Sequence, residues 1–209
     1  MTKVLMNIYL LNWKLLEKGI FGIRLYGIGG IFPPYINDIV KYARMPNIKN
    51  ILEIGFNHGH STVALLSANK KVNVLSFDLG LNNFISISKK FIDSTFPKRH
   101  KLISGDTTVT IPKYHLTHSK HKFDLIIIDG NSEYKYIKDD IKNCKSMSHN
   151  KTIVIVNNII SLKNKQVFTQ KNTSPTKAFD NMIESNKIKL NKYHKYNNIT
   201  GISVCSYII

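Results

Sequence analysis

The sequence predicts an α/β protein whose doubly wound, mostly parallel seven-stranded sheet ends in a C-terminal antiparallel hairpin. Short, nearly continuous runs of Ile, Val, Leu and Phe alternate along the chain with stretches of helical periodicity. This alternation is typical of parallel strands that are buried on both faces and joined by helices. The last two runs are separated by Asn197-Asn198-Ile199-Thr200-Gly201, where Asn and Gly tolerate the positive φ angles of a chain reversal.

The predicted elements follow these runs in order. Five parallel strands are expected at Asn50–Gly55, Val72–Asp78, Lys101–Ser104, Phe123–Asp129 and Thr152–Val156, and the hairpin strands at Lys187–Tyr193 and Ile202–Tyr207. Helices are expected at Ile36–Ala43, Ser61–Ser67, Asn82–Phe96 and Glu133–Cys144, and from Pro175 to about Ser185. The polar stretch His149–Lys171 is expected to contain a mobile loop.

The N-terminal stretch predicts a helical cap and no membrane anchor. Its apolar residues recur at helical spacing, namely Val4, Leu5, Ile8, Leu11, Leu15 and Leu16. Polar residues interrupt it, so no segment approaches the roughly 20 apolar residues of a membrane-spanning helix. We therefore expect a cap over residues 1–31 that packs on the domain or on a partner, followed by one main domain over residues 32–209.

The chain is strongly basic, with 30 Lys and Arg residues against 13 Asp and Glu residues and a formal net charge of +17. Such a charge raises nucleic acid or an anionic membrane surface as a partner. The basic residues are mostly Lys, however, and they are spread along the whole chain among many Asn and Ile residues. Because a phosphate-binding surface more often gathers Arg and aromatic residues on one segment, a nucleic-acid partner is not favoured.

Cys144 and Cys205 are the two cysteines of the chain. They are too few for a disulfide framework and lack the Cys-x-x-Cys spacing of zinc or redox sites. We therefore expect a reducing compartment, the cytoplasm. The sequence predicts no particular oligomeric state.

The strongest functional signal runs from Ile51 to Thr62, where an apolar strand leads into a Gly-x-x-x-Gly turn and the start of a helix. Gly55 and Gly59 allow a ligand to approach the backbone closely, and Ser61 with the first N–H groups of the helix can hold an anionic group such as a carboxylate. A tight turn without a ligand is the alternative, because paired glycines are common in α/β proteins.

The segment Glu53-Ile-Gly55-Phe-Asn-His-Gly59-His-Ser61 resembles motif I of the class I S-adenosylmethionine-dependent methyltransferases, which have a Rossmann-like fold. The likeness extends from about Phe32 onward and is greatest to the catechol O-methyltransferase branch and to related small-molecule and sugar O-methyltransferases. It implies that residues 32–209 bind S-adenosyl-L-methionine and that the turn, including Phe56 and Asn57, surrounds the methionine part. It also implies that Ser61 binds the cofactor carboxylate and that Glu53 positions its amino-acid end through the turn.

Two later acidic segments extend the predicted cofactor site. Asp78 ends the second predicted strand, where a carboxylate can accept two hydrogen bonds from a ribose diol, and Leu79 follows it. An ordinary N-cap or turn Asp is the alternative for Asp78. After the third strand, Gly105-Asp106-Thr107 resembles the Gly-Asp segment of the family, which implies an acid near the adenine amino group.

The second specific feature is Phe123-Asp-Leu-Ile-Ile-Ile-Asp129-Gly130-Asn-Ser-Glu-Tyr134, which presents Asp129 at a strand end, where α/β folds bind ligands. It is similar to the Ile-Asp-Gly-x-His-x-Tyr pattern of the family. The resemblance implies that Asp129 lies at the cofactor and takes part in catalysis. In metal-dependent members this Asp binds a divalent ion such as Mg²⁺ with a residue pair after the next strand, here Asn157-Asn158.

Two residues depart from that pattern. Ser132 replaces the His that is the usual general base, and Asn157 replaces the usual Asp, which removes a negative charge from the metal site. Because Mg²⁺ favours carboxylate oxygens, these changes argue against a strong metal site at Asp129, Asn157 and Asn158. The replacement bases that the sequence offers are Glu133, which is our candidate catalytic residue beside Asp129, and Lys135 and His58.

Three further features are assigned no function. The regularly spaced His115, His118 and His121 lie in a polar connection that is expected to be an exposed loop and not a metal site. Gly27-Ile-Gly29-Gly30 lacks the strand-then-helix context of a nucleotide fingerprint and is expected to be a flexible loop. Trp13 is expected to pack in the core or at its rim.

Together these features predict an enzyme that transfers a methyl group from S-adenosyl-L-methionine to a hydroxyl of a small molecule or sugar, the acceptor being implied by the resemblance alone. The positive charge leaves an RNA or protein methyltransferase as one alternative. The changes at Ser132 and Asn157 leave a catalytically inactive binding protein of the same fold as another. An NAD-dependent dehydrogenase fits less well, because the Gly-x-x-x-Gly turn and the closing hairpin do not match it.

Overall fold

The computed structural model describes residues 2–20, 34–159, 174–196 and 201–208. The predicted loop at Gly27–Gly30 and the predicted hairpin turn at Asn197–Thr200 lie outside the described residues. The same holds for residues 160–171 of the predicted loop after His149.

Seven α-helices and seven strands make up the described chain. The helices are α1 (Thr2–Glu17), α2 (Pro34–Ala43), α3 (His60–Ala68), α4 (Phe84–Thr95), α5 (Thr107–Thr117), α6 (Tyr134–Cys144) and α7 (Ser174–Glu184). The strands are β1 (Asn50–Ile54), β2 (Asn73–Asp78), β3 (His100–Ser104), β4 (Leu125–Ile128), β5 (Ile153–Ile159), β6 (Ile188–Lys195) and β7 (Gly201–Tyr207). A 3₁₀ turn at Lys145–Met147 follows α6.

The strands form one mixed sheet in the order β3-β2-β1-β4-β5-β7-β6. The pairs β1–β2, β2–β3 and β4–β5 are parallel, whereas β7 is antiparallel to both β5 and β6. The predicted Rossmann-like sheet with an antiparallel C-terminal pair is therefore confirmed. All seven predicted strands are present, and their ends differ from the prediction by a few residues.

The prediction of an exposed loop at His115, His118 and His121 is wrong for His115, which lies in α5, whereas His118 and His121 follow the helix and His118 is exposed. The N-terminus of α5 is capped by Asp106, whose side chain accepts the Thr108 N–H at 2.8 Å. The sequence pattern hid this helix because Pro112 lies inside it, where proline removes a backbone donor, and because its buried face is short. Two of the histidines contact Tyr114: its ring stacks on His118, and its hydroxyl lies 2.7 Å from His121 Nδ1.

The chain divides into two compact units, Met1–Gly105 and Asp106–Ile209. In the first unit α3 is buried over most of its length, because it packs against β2, α1 and α2. The helix α1 contributes the buried side chains Val4, Ile8, Leu11 and Leu15. The prediction that Trp13 packs in the core or at its rim is wrong, because Trp13 is 56% exposed.

In the second unit the core is built on β4, whose four residues are all buried, and on the apolar faces of α6 and α7. Tyr207 at the end of β7 is buried and donates its hydroxyl to the Ile141 carbonyl at 2.8 Å, which ties the last strand to α6. Cys144 and Cys205 are buried free thiols. Within the described ranges, no helix has the length and apolar character needed to cross a membrane.

Candidate functional site

The predicted Gly-x-x-x-Gly turn lies between β1 and α3 and uses left-handed backbone at three residues. The φ angles are 94° at Gly55, 46° at Asn57 and 77° at Gly59. A Cβ on Gly59 would lie 3.0 Å from Ile92 Cδ1 and 3.1 Å from the Phe56 ring, so a side chain there is disfavoured by both strain and space. Glycine is therefore required where the chain enters α3.

Glu53 lies on β1 beneath this turn and is 1% exposed. Its Oε1 accepts the Ser61 hydroxyl at 2.5 Å, and its Oε2 accepts the hydroxyls of Thr62 at 2.5 Å and Ser76 at 2.6 Å. Because the parallel register sets Glu53 beside Ser76, one buried carboxylate joins β1, β2 and the first turn of α3. A buried charge that is fully hydrogen-bonded in this way fixes the geometry around it.

Asp78 at the end of β2 braces the same turn from its other side. Its Oδ2 accepts the Asn57 N–H at 2.9 Å, and its Oδ1 accepts the Gly80 N–H at 2.9 Å. The turn role that the sequence left as an alternative for Asp78 is therefore present. A carboxylate offers about four lone-pair positions, so these two bonds leave capacity for further donors.

In the second unit, Asp129 directly follows β4, and Asn157 lies at the same level within the neighbouring parallel strand β5. The register pairs Ile128 of β4 with Val156 of β5, so the residues that follow them lie side by side. Asn157 Nδ2 donates to Asp129 Oδ1 at 2.8 Å, and both residues are half-buried. Asn158 is exposed with a φ of 60°, and Glu133 is exposed at the N-cap of α6.

The segment that contains these residues matches a known protein family. A family model described as a methyltransferase domain matches residues 52–159, which is more than half of the 209-residue chain. The matched segment includes Glu53, Asp78 and Asp129. The chain belongs to this methyltransferase family. A search among curated proteins finds no significant sequence match.

Solved structures share the fold of this methyltransferase at low identity. The O-methyltransferase from Bacillus cereus in complex with SAH is 15% identical, with a TM-score of 0.72 over 94% of this chain and 90% of that one. TomG from Streptomyces achromogenes, an O-methyltransferase involved in tomaymycin synthesis and solved with SAM, is 13% identical, with a TM-score of 0.72 over 96% and 89%. SAH-bound PaMTH1 from Podospora anserina is 15% identical, with a TM-score of 0.67 over 98% and 87%.

The hydroxyl of Ser61 is already used inside the methyltransferase. A serine has one O–H to donate, and Ser61 donates it to Glu53, so its hydroxyl does not also donate to an anion. The backbone N–H groups of Ser61 and Thr62 lie in the first turn of α3, where no intrahelical acceptor exists. These N–H groups are therefore the donors that the turn offers to a carboxylate.

Two buried histidines of the first unit, His60 and His100, lie close to the glycine turn or to the residues around Glu53. The sequence pattern did not predict that either is buried. His60 Nε2 lies 2.6 Å from Asn12 Oδ1 of α1, and burial lowers the pKa of His60 to about 4. His100 Nε2 lies 3.0 Å from Ser76 Oγ, its ring stacks on Phe56, and burial lowers its pKa to about 3. Both imidazole rings are therefore neutral at pH 7. The Phe56 side chain, on which His100 stacks, is 1% exposed and belongs to the core.

The predicted adenine segment begins with Gly105, the last residue of the first unit, and continues with Asp106 and Thr107 of the second. Gly105 has a φ of 131°, and Asp106 accepts both the N–H and the hydroxyl of Thr108, which lowers the pKa of Asp106. Behind Thr107 lies Asp140 of α6, which is 1% exposed; burial is the main cause that raises its pKa to about 7, while the Thr107 hydroxyl acts in the opposite direction. Asp140 was missed because one acid on a charged helix carries no sequence motif.

The predicted metal residues do not fit Mg²⁺ as they are arranged. They supply one carboxylate and two amides, and Asn157 directs its N–H group, which cannot bind a cation, at Asp129. Among the described residues, no three His, Cys, Asp or Glu side chains gather where they could hold a metal ion. As they are arranged, these residues would therefore not hold a metal ion for the reaction.

Proposed function

We propose that this methyltransferase transfers a methyl group from S-adenosyl-L-methionine to a hydroxyl of a small molecule or sugar. The observation that carries the proposal is the glycine turn at Gly55–Gly59, held from below by Glu53 and from the side by Asp78. Three of the solved structures with this fold were determined with the cofactor or its demethylated product, which supports the choice of cofactor.

The cofactor would be held by this chain's residues at two points of the first unit. The N–H groups of Ser61 and Thr62 bind its carboxylate, because they lack intrahelical acceptors and lie at the positive end of the helix dipole. Asp78 accepts the ribose hydroxyls beside its two backbone bonds. Leu79, which is 56% exposed, offers apolar surface next to Asp78.

When bound, the cofactor supplies a methyl group activated by a sulfonium. The protein's contribution is to hold the reactants in line, an effect that supplies up to roughly 7–11 kcal/mol in favourable cases. A hydroxyl acceptor must also lose its proton. Asp129 is the better placed base, because Asn157 orients its carboxylate, whereas Glu133 is exposed at a helix terminus.

Calorimetry with S-adenosylhomocysteine tests the cofactor half of the proposal, and transfer of a labelled methyl group to a panel of phenols, other small-molecule alcohols and sugars tests the acceptor half. We expect micromolar binding and transfer to at least one hydroxyl, with Asp129→Asn binding the cofactor but losing transfer. A folded wild type that does not bind S-adenosylhomocysteine would overturn the proposal. Binding without transfer to any acceptor would favour the inactive binding protein.

A further inference from the structure

A cavity of about 640 Å³ opens between α6 and α7 in the second unit. None of the residues assigned above to cofactor, acceptor or catalysis lines it. Its volume falls within the 300–1,000 Å³ that is usual for small-molecule sites. The cavity is therefore large enough for a ligand of its own.

The lining of this cavity has charge of one sign. Four of its ten residues are lysines, Lys138, Lys142, Lys145 and Lys187, and none is acidic. Within the described part of the chain, none of these lysines forms an ion pair with a carboxylate. The helix α6 does carry two acids, Asp139 and Asp140, but neither reaches the cavity.

The overall abundance of lysine does not explain why four lysines line this cavity without an acidic residue among them. Lys138 and Lys142 are four residues apart on α6, a spacing at which like charges repel and destabilise a helix. Lys138 and Lys142 lie on one face of α6, and Lys145 follows in the 3₁₀ turn, so the three lysines form a row about 10 Å long. Such a row can meet more than one anionic group of a single ligand.

Several polar groups of the cavity are held in position. Lys145 Nζ donates to the Ile208 carbonyl at 2.8 Å, and two of its three N–H groups remain for other acceptors. Asn181 Nδ2 donates to the Tyr134 hydroxyl at 2.7 Å, so the tyrosine's own O–H is left to donate. Between these groups, the side chains of Met182 and Tyr207, which keep 6% and 8% of their surface exposed, give the cavity an apolar floor above the fully buried Ile141.

We propose that this cavity binds a small molecule that carries two or more phosphate groups together with an apolar or aromatic group. The lysine row and the Tyr134 hydroxyl bind the phosphates, and the surface at Met182 and Tyr207 receives the apolar group. Ammonium groups bind phosphate as point charges, which suits a linear polyphosphate. A concave site of this volume fits a small molecule, whereas a nucleic-acid strand calls for an extended groove.

Inorganic tripolyphosphate tests the charge recognition without using the adenosine features of the cofactor site. Calorimetry on the full chain, with S-adenosylhomocysteine present and absent, is expected to show tripolyphosphate binding more tightly than orthophosphate at equal ionic strength. Lys142→Gln with Lys187→Gln is expected to weaken it about tenfold or more, since both ammonium groups are exposed at the cavity. The matched pair Lys70→Gln with Lys71→Gln removes the same charge from the first unit and is expected to change the Kd less than twofold.

The apolar part is tested with ATP and methyl NMR of ¹³C-labelled methionine in the wild type. ATP is expected to bind at least as tightly as tripolyphosphate and to shift the Met182 methyl signal, leaving that of Met45 in the first unit unchanged. Absence of tripolyphosphate binding, equal losses in the two lysine pairs, or an unmoved Met182 signal would overturn the proposal. So would binding of a single-stranded oligonucleotide in the absence of tripolyphosphate binding, which would assign the lysines to nucleic acid.

Discussion

Glu53 and Asp129 are two of the carboxylates on which the proposed reaction depends, and the protein surrounds them differently. Glu53 is buried and accepts three hydroxyl hydrogen bonds that join two strands and a helix. Asp129 is half-buried at a strand end and accepts an amide from Asn157. The proposed cofactor side therefore depends on a buried carboxylate and the proposed acceptor side on a half-buried one, and the two sides are expected to respond differently to substitution.

Glu53→Gln is expected to have the largest effect. The amide keeps the size of the side chain but replaces one acceptor oxygen by an N–H donor that faces hydroxyl groups. Because hydrogen bonds to buried charged groups are strong and unsatisfied partners are costly, we expect a loss of roughly 3–5 kcal/mol in the free energy of unfolding, measured by urea denaturation. Cofactor binding is expected to be lost with it.

Asp129→Asn is the matched change on the acceptor side. We expect it to lower the free energy of unfolding by less than about 1 kcal/mol while abolishing transfer, because the amide keeps the size of this half-buried side chain but is not a base. Similar destabilisation by the two substitutions would contradict the comparison between the two sides.

Asp78→Ala is expected to weaken S-adenosylhomocysteine binding by about 1.5–3 kcal/mol, the value of a charge-assisted hydrogen bond. The loss combines the ribose contact with the bonds to Asn57 and Gly80 that shape the turn. Asp93→Ala is a suitable control, since Asp93 is an exposed acid of the same unit that pairs with Lys89 on a helix surface. If calorimetry finds the same affinity in Asp78→Ala and the wild type, the ribose assignment fails.

The two units are also expected to respond to pH in opposite directions. Burial lowers the pKa of His60 from 6.5 to about 4, so the unfolded chain binds the proton first, and stability is lost as the pH falls below 6.5. Burial raises the pKa of Asp140 from 3.8 to about 7, so its contribution is present below pH 3.8 and is lost as the pH rises toward 7. Each slope approaches about 1.4 kcal/mol per pH unit.

Urea denaturation at pH 5 and pH 6.5 measures these slopes. Relative to each variant, the wild type is expected to lose about 2 kcal/mol on going from pH 6.5 to pH 5 when compared with His60→Gln, and to gain when compared with Asp140→Asn. His100, whose pKa burial also lowers, adds to the His60 direction, so His100→Gln serves as a second test of the sign. Parallel pH curves for the wild type and the histidine variants would exclude this role for burial.

The sequence predicted the sheet because the five core strands are continuous apolar runs, and it predicted the turn because Gly55 and Gly59 stand at a strand end. It could not predict α5, where Pro112 and a short buried face weaken the periodicity. It also could not predict that Thr62, Ser76 and His100 join Glu53 in one cluster, because contacts between residues distant in sequence depend on the register of β1, β2 and β3. The local hydrophobic pattern determines where helices and strands form, whereas a buried polar cluster depends on how those strands pair with one another.

Asn157→Asp is expected to have the smallest effect and sharpens the account of the acceptor side. The change replaces the amide that donates to Asp129 with a second carboxylate. Without a metal ion the two carboxylates repel each other, but together they offer a pair of oxygen ligands to a divalent ion. At a Mg²⁺ concentration ten times its Kd, binding stabilises the folded state by about 1.4 kcal/mol, measurable as a rise in Tm. Asn158→Asp is the control, since Asn158 is exposed and its left-handed φ of 60° is tolerated by Asp. We expect no comparable rise in the wild type or the control, and an equal Mg²⁺ response of the wild type would show that the amide of Asn157 turns its oxygen to the ion.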